Sequence, residues 1–68
     1  MNIDSIGTWA GEVYHALENS NTRMLGLKLI KKATKLKKDE IMAALGWLGR
    51  EGKISITEED EDIVVTLI

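Results

Sequence analysis

The residues with the clearest chemical potential in this sequence are lysines, six of which fall between positions 28 and 38. Closely spaced ammonium groups suit phosphate oxygens, because each one that neutralises a nucleic-acid phosphate releases a condensed counterion. Six such contacts would give a salt slope of about −5, at ~0.9 per contact. We therefore predict a candidate nucleic-acid site, named here the basic patch, made of Lys28, Lys31, Lys32, Lys35, Lys37 and Lys38.

Acidic residues lie on both sides of the basic patch in the sequence. The formal net charge of −2 divides into −3 for Met1–Glu18, +7 for Asn19–Lys38 and −6 for Asp39–Ile68. Five acids are consecutive in Glu58–Asp62, named here the acidic segment, which would be repelled by phosphate. The pattern leaves two alternatives open: the basic patch contacts phosphates, or it meets the acidic surface of a second copy.

Residues for catalysis or metal binding are scarce. The sequence has one His, no Cys and no Gly-rich phosphate loop after a predicted strand. His15 lies one helical turn from Glu12 and from Glu18, which is typical of a helix surface. The acidic segment lacks the spacing and the glycine of an EF-hand loop. We therefore predict that the protein is not an enzyme and has no metal site and no cofactor.

Length and composition limit the architecture. A chain of 68 residues is expected to form a single domain over residues 1–68 and to bury only ~60% of the surface exposed when unfolded. The absence of Cys fits a cytoplasmic location and excludes disulfide stabilisation, which favours a homodimer. No apolar run approaches the ~18 residues of a membrane span, and Met1–Ile6 carries no export signal, so we expect no membrane partner.

Hydrophobic spacing predicts three helices and three strands. Apolar residues at three- and four-residue steps indicate a helix over Ser5–Asn19, capped by Asp4 or Ser5. A brief extended segment over Thr22–Leu25 follows, and such a segment often pairs with a hairpin later in the chain. Next comes a two-turn helix from Leu27, with Leu27, Leu29, Ile30 and Ala33 inward, and then a helix over Lys38–Glu51 that ends at Gly52.

Alternation of apolar and polar residues predicts a final hairpin. Ile54 and Ile56 begin one strand, and Ile63, Val65 and Leu67 mark the inner face of the next. The acidic segment between them has no Gly or Asn, which favours a connection of four or five residues over a two-residue turn. The last strand is expected at an edge, with an uncovered apolar face.

The order helix, short strand, helix, helix, hairpin is the winged helix-turn-helix plan, of α+β class. Within it, IGTWAGEVYHALEN (Ile6–Asn19), IKKATKL (Ile30–Leu36) and ALGWLGREGKI (Ala44–Ile54) resemble a family of small stand-alone bacterial winged helix-turn-helix domains of undetermined function. The resemblance covers nearly the whole chain and implies a fold and a domain type without an activity.

Two lysines depart from this plan in the turn between the second and third helices. Lys35 stands where such turns usually place Gly, and Lys37 where Ser, Thr or Asp would cap the third helix. The outward N-terminal half of that helix is expected to offer Lys38, Asp39, Glu40, Met42 and Ala43, with no Arg, Asn or Gln placed for bidentate contact with a base. We therefore expect any DNA binding to be largely independent of sequence.

The sequence also supports a protein interface. Ala43, Gly46, Trp47 and Arg50, named here the second stripe, lie beside the inward face of the third helix. Trp47 either contacts a partner or packs within the monomer. The main hypothesis is a DNA-binding domain of the transcription-regulator type; the alternative is a homodimeric protein-interaction module without DNA binding. Candidate interface residues are Ala43, Gly46, Trp47, Arg50, Val64, Thr66 and Ile68.

Overall fold

The computed structural model describes residues 1–68 as three helices and one antiparallel sheet. None of the helices could cross a bilayer. The order of elements confirms the predicted winged helix-turn-helix fold of α+β class. The elements are α1 (Ile3–Glu18), β1 (Met24–Gly26), α2 (Leu27–Thr34), α3 (Lys38–Arg50), β2 (Ile54–Glu59) and β3 (Asp62–Leu67).

A single apolar core joins the helices to one face of the sheet. α1 and α3 supply most of it, and Trp9 and Tyr14 pack against it while half-buried. The expectation that Leu29 and Ala33 face inward is wrong: both are exposed, Leu29 by 56%. Only one residue of the short α2 is fully buried. The core consists of Ala10, Val13, Leu17, Ile30, Ile41, Ala44, Leu45, Leu48, Ile54 and Val65.

The first helix begins earlier than its hydrophobic pattern indicates. Asn2 has an extended backbone, and its Oδ1 accepts a hydrogen bond of 2.8 Å from the Ser5 N–H. This side-chain cap satisfies one of the free N–H groups in the first turn, so Asn2 is the cap and neither Asp4 nor Ser5 is. The helix ends at Glu18, and Asn19 is its C-terminal cap.

The last strand is central in the sheet, and the expectation of an edge strand is wrong. The strand order is β1-β3-β2, with β3 antiparallel to both neighbours. Val65 lies opposite Leu25 on one side and Ile56 on the other, on the core face. β1 starts two residues later than predicted, at Met24, and its pairing with β3 leaves β1 and β2 as the two edge strands.

The connection between β2 and β3 is a two-residue turn, which corrects the predicted longer loop. Pairing continues to Glu59 opposite Asp62, so only Asp60 and Glu61 turn the chain. Both have positive φ, of 48° and 66°. Positive φ at both positions defines the hairpin turn whose twist matches that of the strands. Strand pairing has therefore overridden the turn preference of the two acidic residues.

The end of α3 follows the prediction from Gly52. This glycine has φ +73°, and its N–H donates to the Gly49 carbonyl at 3.1 Å. The next N–H, of Lys53, donates to the Leu48 carbonyl at 3.0 Å. These two bonds form a Schellman motif, which ends the helix and directs the chain into β2. The Lys53 Nζ lies 5.6 Å from the centre of the Tyr14 ring.

Candidate nucleic-acid interface

The turn between α2 and α3 is held by side-chain and backbone hydrogen bonds around Thr34. Its Oγ1 donates to the Ile30 carbonyl at 2.8 Å and accepts from the Leu36 N–H at 3.2 Å. Lys35 adopts the left-handed conformation that the family plan gives to Gly, with φ 61° and ψ 18°. Its N–H donates to the Lys31 carbonyl at 2.8 Å, which closes α2 and directs the chain toward α3.

The N-terminus of α3 is capped from within the helix. Lys37 occupies the cap position, but a lysine side chain carries no acceptor for the free N–H groups. Instead, Glu40 Oε1 accepts from the Lys37 backbone N–H at 2.8 Å. This is one half of a capping box, and it fixes the Glu40 carboxylate next to the turn. Glu40 is thus a structural acid of the helix start, half-buried rather than directed toward a ligand.

Three of the six lysines surround one small depression between α2 and α3. Lys28 and Lys31 come from α2 and Lys38 from the first residue of α3. Leu27 and Ile41 provide apolar lining, and the cavity volume is about 170 Å³. We call this feature the lysine depression. Its ammonium groups and the N-terminal end of α3 both favour an anion.

The other three lysines of the basic patch lie outside this depression. Lys32 lines a different groove of about 660 Å³ between α1, α2 and β1, together with Glu12 and His15. Lys35 and Lys37 are exposed in the turn and line no cavity. The basic patch is therefore continuous in sequence but divided in space.

The last residue of the acidic segment, Asp62, lies close to the start of α2. A Cβ added to Gly26 would lie 2.6 Å from Asp62 Oδ2, so glycine alone lets the carboxylate approach this closely. Asp62 Oδ1 accepts a hydrogen bond of 2.8 Å from its neighbour's N–H, of Ile63. Gly26 precedes Leu27 and Lys28, which line the lysine depression. One carboxylate of the acidic segment thus lies against the residue that precedes α2.

The outward face of α3 is mainly apolar or without side chains. Met42 is 41% exposed, and Gly46 and Gly49 are exposed with open space where a Cβ would stand. Lys38 and Asp39 are the exposed charges at the helix start, and Arg50 is the exposed charge at its end. The face offers few groups for hydrogen bonds with base edges.

The candidate protein interface is only partly accessible. Trp47 is half-buried and packs on the core, where its ring would lie 3.7 Å from a Cβ added to Gly7 of α1. Trp47 had two alternatives, a partner contact or packing within the monomer. Packing within the monomer already buries much of its side chain. Ala43 is half-buried, whereas Gly46 and Arg50 are exposed.

The residues assigned to the interface on β3 lie on the outer face of the sheet. Val64 and Thr66 are half-buried because β1 and β2 flank them. Ile68 follows the strand and is 81% exposed. No three His, Cys, Asp or Glu side chains form a group that could hold a metal ion.

Comparison with known proteins agrees with this geometry. A family model described as a winged helix-turn-helix domain (DUF2582) matches residues 1–67. The chain belongs to this family of winged helix-turn-helix domains. Domains of this type are typically non-catalytic, and the fold is compatible with DNA binding.

Two relatives extend the comparison. The uncharacterised protein MJ1608 of Methanocaldococcus jannaschii is 32% identical over 62 residues, covering 91% of this chain and 89% of the relative. The solution NMR structure of protein BT2368 from Bacteroides thetaiotaomicron superposes with a TM-score of 0.82 at 27% identity, covering 98% of this chain and 79% of that one. The first relative is archaeal, so membership does not imply a bacterial source. Neither name states a ligand.

Proximity in space reveals two features that the sequence analysis missed. The first is the convergence of Lys28, Lys31 and Lys38, where the sequence indicated one group of six. Lys28 and Lys31 are three residues apart on a helix, so their common face was predictable, whereas Lys38 joins them through the angle of the turn. The second is the approach of Asp62 to Gly26, which depends on sheet register.

Proposed function

We propose that this winged helix-turn-helix domain binds nucleic acid as a transcription-regulator-type protein, through phosphate contacts of the basic patch. The lysine depression is the observation that supports the proposal, since three lysines from α2 and the start of α3 line it. Phosphate oxygens are bound by lysines and by helix N-termini, and such contacts position a protein without reading bases. The proposal therefore predicts binding to duplexes of any sequence.

The division of the basic patch sharpens the expected salt dependence. If only the lysine depression contacts phosphate, three contacts at ~0.9 each give a slope of about −3. If all six lysines take part, the slope approaches about −5. The acidic segment repels phosphate, which favours the smaller value and an affinity in the ~10⁻⁴–10⁻⁶ M range of non-specific complexes.

Fluorescence anisotropy with a labelled duplex of random sequence tests this proposal at several salt concentrations. The first triple variant, K28Q/K31Q/K38Q, removes the charges of the lysine depression. The matched control, K32Q/K35Q/K37Q, removes the same charge from the rest of the basic patch. We expect the first variant to lose nearly all affinity and the control to retain most of it.

Equal losses in the two variants would instead support six distributed contacts. A wild-type protein without salt-sensitive affinity would refute nucleic-acid binding. Circular dichroism of each variant verifies that the fold is intact. All six positions are exposed, so the substitutions should leave the core unchanged.

The second candidate is a homodimeric protein-interaction module that does not bind DNA. The exposed glycines of α3 favour it: Gly46 and Gly49 weaken a helix by ~1 kcal/mol each relative to Ala, and no contact within the monomer explains them. A partner that approaches the α3 backbone closely would explain them. Gly46→Ala should then stabilise the isolated domain yet weaken partner binding, whereas under the nucleic-acid proposal it leaves affinity for a random duplex unchanged.

A further inference from the structure

The outer edge of β2 has no strand beside it. β3 covers one side of β2, and all residues from Ser55 to Glu59 are exposed. The Ile68 N–H donates to the Lys53 carbonyl at 3.0 Å, which identifies the hydrogen-bonded pairs of this ladder. Because such pairs alternate along antiparallel strands, Ser55 and Thr57 direct their backbone groups toward β3. Ile54, Ile56 and Glu58 direct theirs outward, away from the sheet.

An apolar side chain is left half-uncovered at the same edge. Ile56 lies opposite the fully buried Val65, on the core face, yet it is 46% exposed. Val65 has strands on both sides, whereas Ile56 has one. A further strand beside β2 would cover Ile56 and satisfy the outward backbone groups together. This edge therefore has the chemistry of a strand-addition site.

We infer that β2 pairs with β2 of a second copy in antiparallel orientation, which joins the two sheets into one. This inference is independent of nucleic-acid binding. The charges along β2 indicate the partner, because the strand is preceded by Lys53 and ends in Glu58 and Glu59. An antiparallel copy of the same strand brings its acidic end to the basic end of the first.

One register satisfies these charges best. With Ile56 opposite Ile56 at the two-fold axis, Lys53 lies opposite Glu59 of the second copy, and this pair occurs twice. The outward groups of Ile54, Ile56 and Glu58 then form about six backbone hydrogen bonds. A shift of two residues in one direction would place Glu59 opposite Glu51 of the second copy, where like charges are destabilising. A shift in the other direction would place Lys53 opposite Glu61, which lies in the turn beyond the end of β2. The register also brings Ile56 into contact with its symmetry mate.

A charge-swap experiment tests both the partner and the register. Lys53→Glu places two acids in each cross-strand pair, and Glu59→Lys places two lysines there. Each variant alone should dimerise about tenfold more weakly than the wild type, since an attractive pair becomes repulsive twice over. An equimolar mixture of the two variants restores opposite charges in both pairs, so it should form heterodimers at wild-type strength.

Sedimentation equilibrium gives the dissociation constants, and native mass spectrometry with one variant ¹⁵N-labelled identifies the heterodimer. Lys53 also contacts Glu51 and the Tyr14 ring within the monomer, so Lys53→Glu alone could weaken the fold. Restoration in the mixture separates the two effects, because an intramolecular defect is not repaired by a second chain. Lys32→Glu is the control: it changes the charge equally, away from β2, and should leave dimerisation unchanged.

Amide exchange locates the contact. The N–H groups of Ile54, Ile56 and Glu58 should exchange more slowly as dimer accumulates, while those of β1 should not change. A wild-type protein that stays monomeric at millimolar concentration would overturn the inference. So would variants that each dimerise like the wild type, or a mixture that shows no preference for the heterodimer.

Discussion

The two-residue turn in the acidic segment should hold backbone strain that a substitution can relieve. Asp60 and Glu61 both have positive φ, and this conformation costs a non-glycine residue ~1–2 kcal/mol of conformational energy. The variant D60N/E61G introduces the Asn-Gly pair that is preferred in two-residue hairpins. It also removes two of five consecutive negative charges. Both changes should stabilise the fold.

A matched variant separates strain from charge. D60N/E61Q removes the same two charges but keeps a side chain at φ 66°. Glycine at position 61 removes a conformational strain of ~1–2 kcal/mol from the folded state. It also makes the unfolded chain more flexible, which lowers the free energy of unfolding by ~0.5–1 kcal/mol. D60N/E61G should therefore be more stable than D60N/E61Q by roughly 1 kcal/mol, which raises the Tm by about 4–8 °C in a domain of this size.

Thermal unfolding followed by circular dichroism at low and at high salt measures both contributions. Salt at ~1 M reduces the Debye length to ~3 Å, so the charge contribution should fade while the difference between the two variants persists. If both variants melt at the same temperature, the left-handed side chain at Glu61 carries no strain and the reasoning is refuted. The gain that both variants share over the wild type is the electrostatic part, and it should shrink in salt.

Two further substitutions test the site by thermal unfolding and duplex binding. Lys35→Gly should stabilise the domain by ~0.5–1 kcal/mol, because φ is 61° at this position. It should leave duplex affinity nearly unchanged, because Lys35 lies outside the lysine depression. A lower stability would contradict the strain argument. Gly26→Ala should change stability by less than ~1 kcal/mol, because its Cβ displaces only the end of the Asp62 side chain and alanine restricts the unfolded chain. Combined with Asp62→Ala, the same substitution should be more favourable than in the wild type, and additive effects in the double-mutant cycle would contradict the close contact.

The helices were largely predictable because their physical signals are local. Apolar spacing located α1 and α3 within two residues, and Gly52 correctly predicted the end of α3. The family resemblance indicated the unusual role of Lys35, whose left-handed backbone the structure confirms. The inward face of α2 was less well defined, because eight residues give only two turns from which to infer a direction.

The errors concern features fixed by contacts between distant residues. The turn at Asp60 and Glu61 is imposed by strand register, which local residue preference does not encode. The central place of β3 depends on pairing with Met24–Gly26, a segment far away in sequence. The grouping of lysines at the candidate site was unpredictable for the same reason. The sequence identifies six lysines, but the angle between α2 and α3 determines which three of them line one depression.

The central position of β3 has a consequence for folding during synthesis. β1 and β2 share no hydrogen bonds, and each pairs with β3, which is made after both of them. A nascent chain that ends before Asp62 can form three helices but no sheet, so Leu25 and Ile54 lack their partners until β3 has left the ribosome. Closure of the core is therefore a late event that follows synthesis of the strand ending at Leu67.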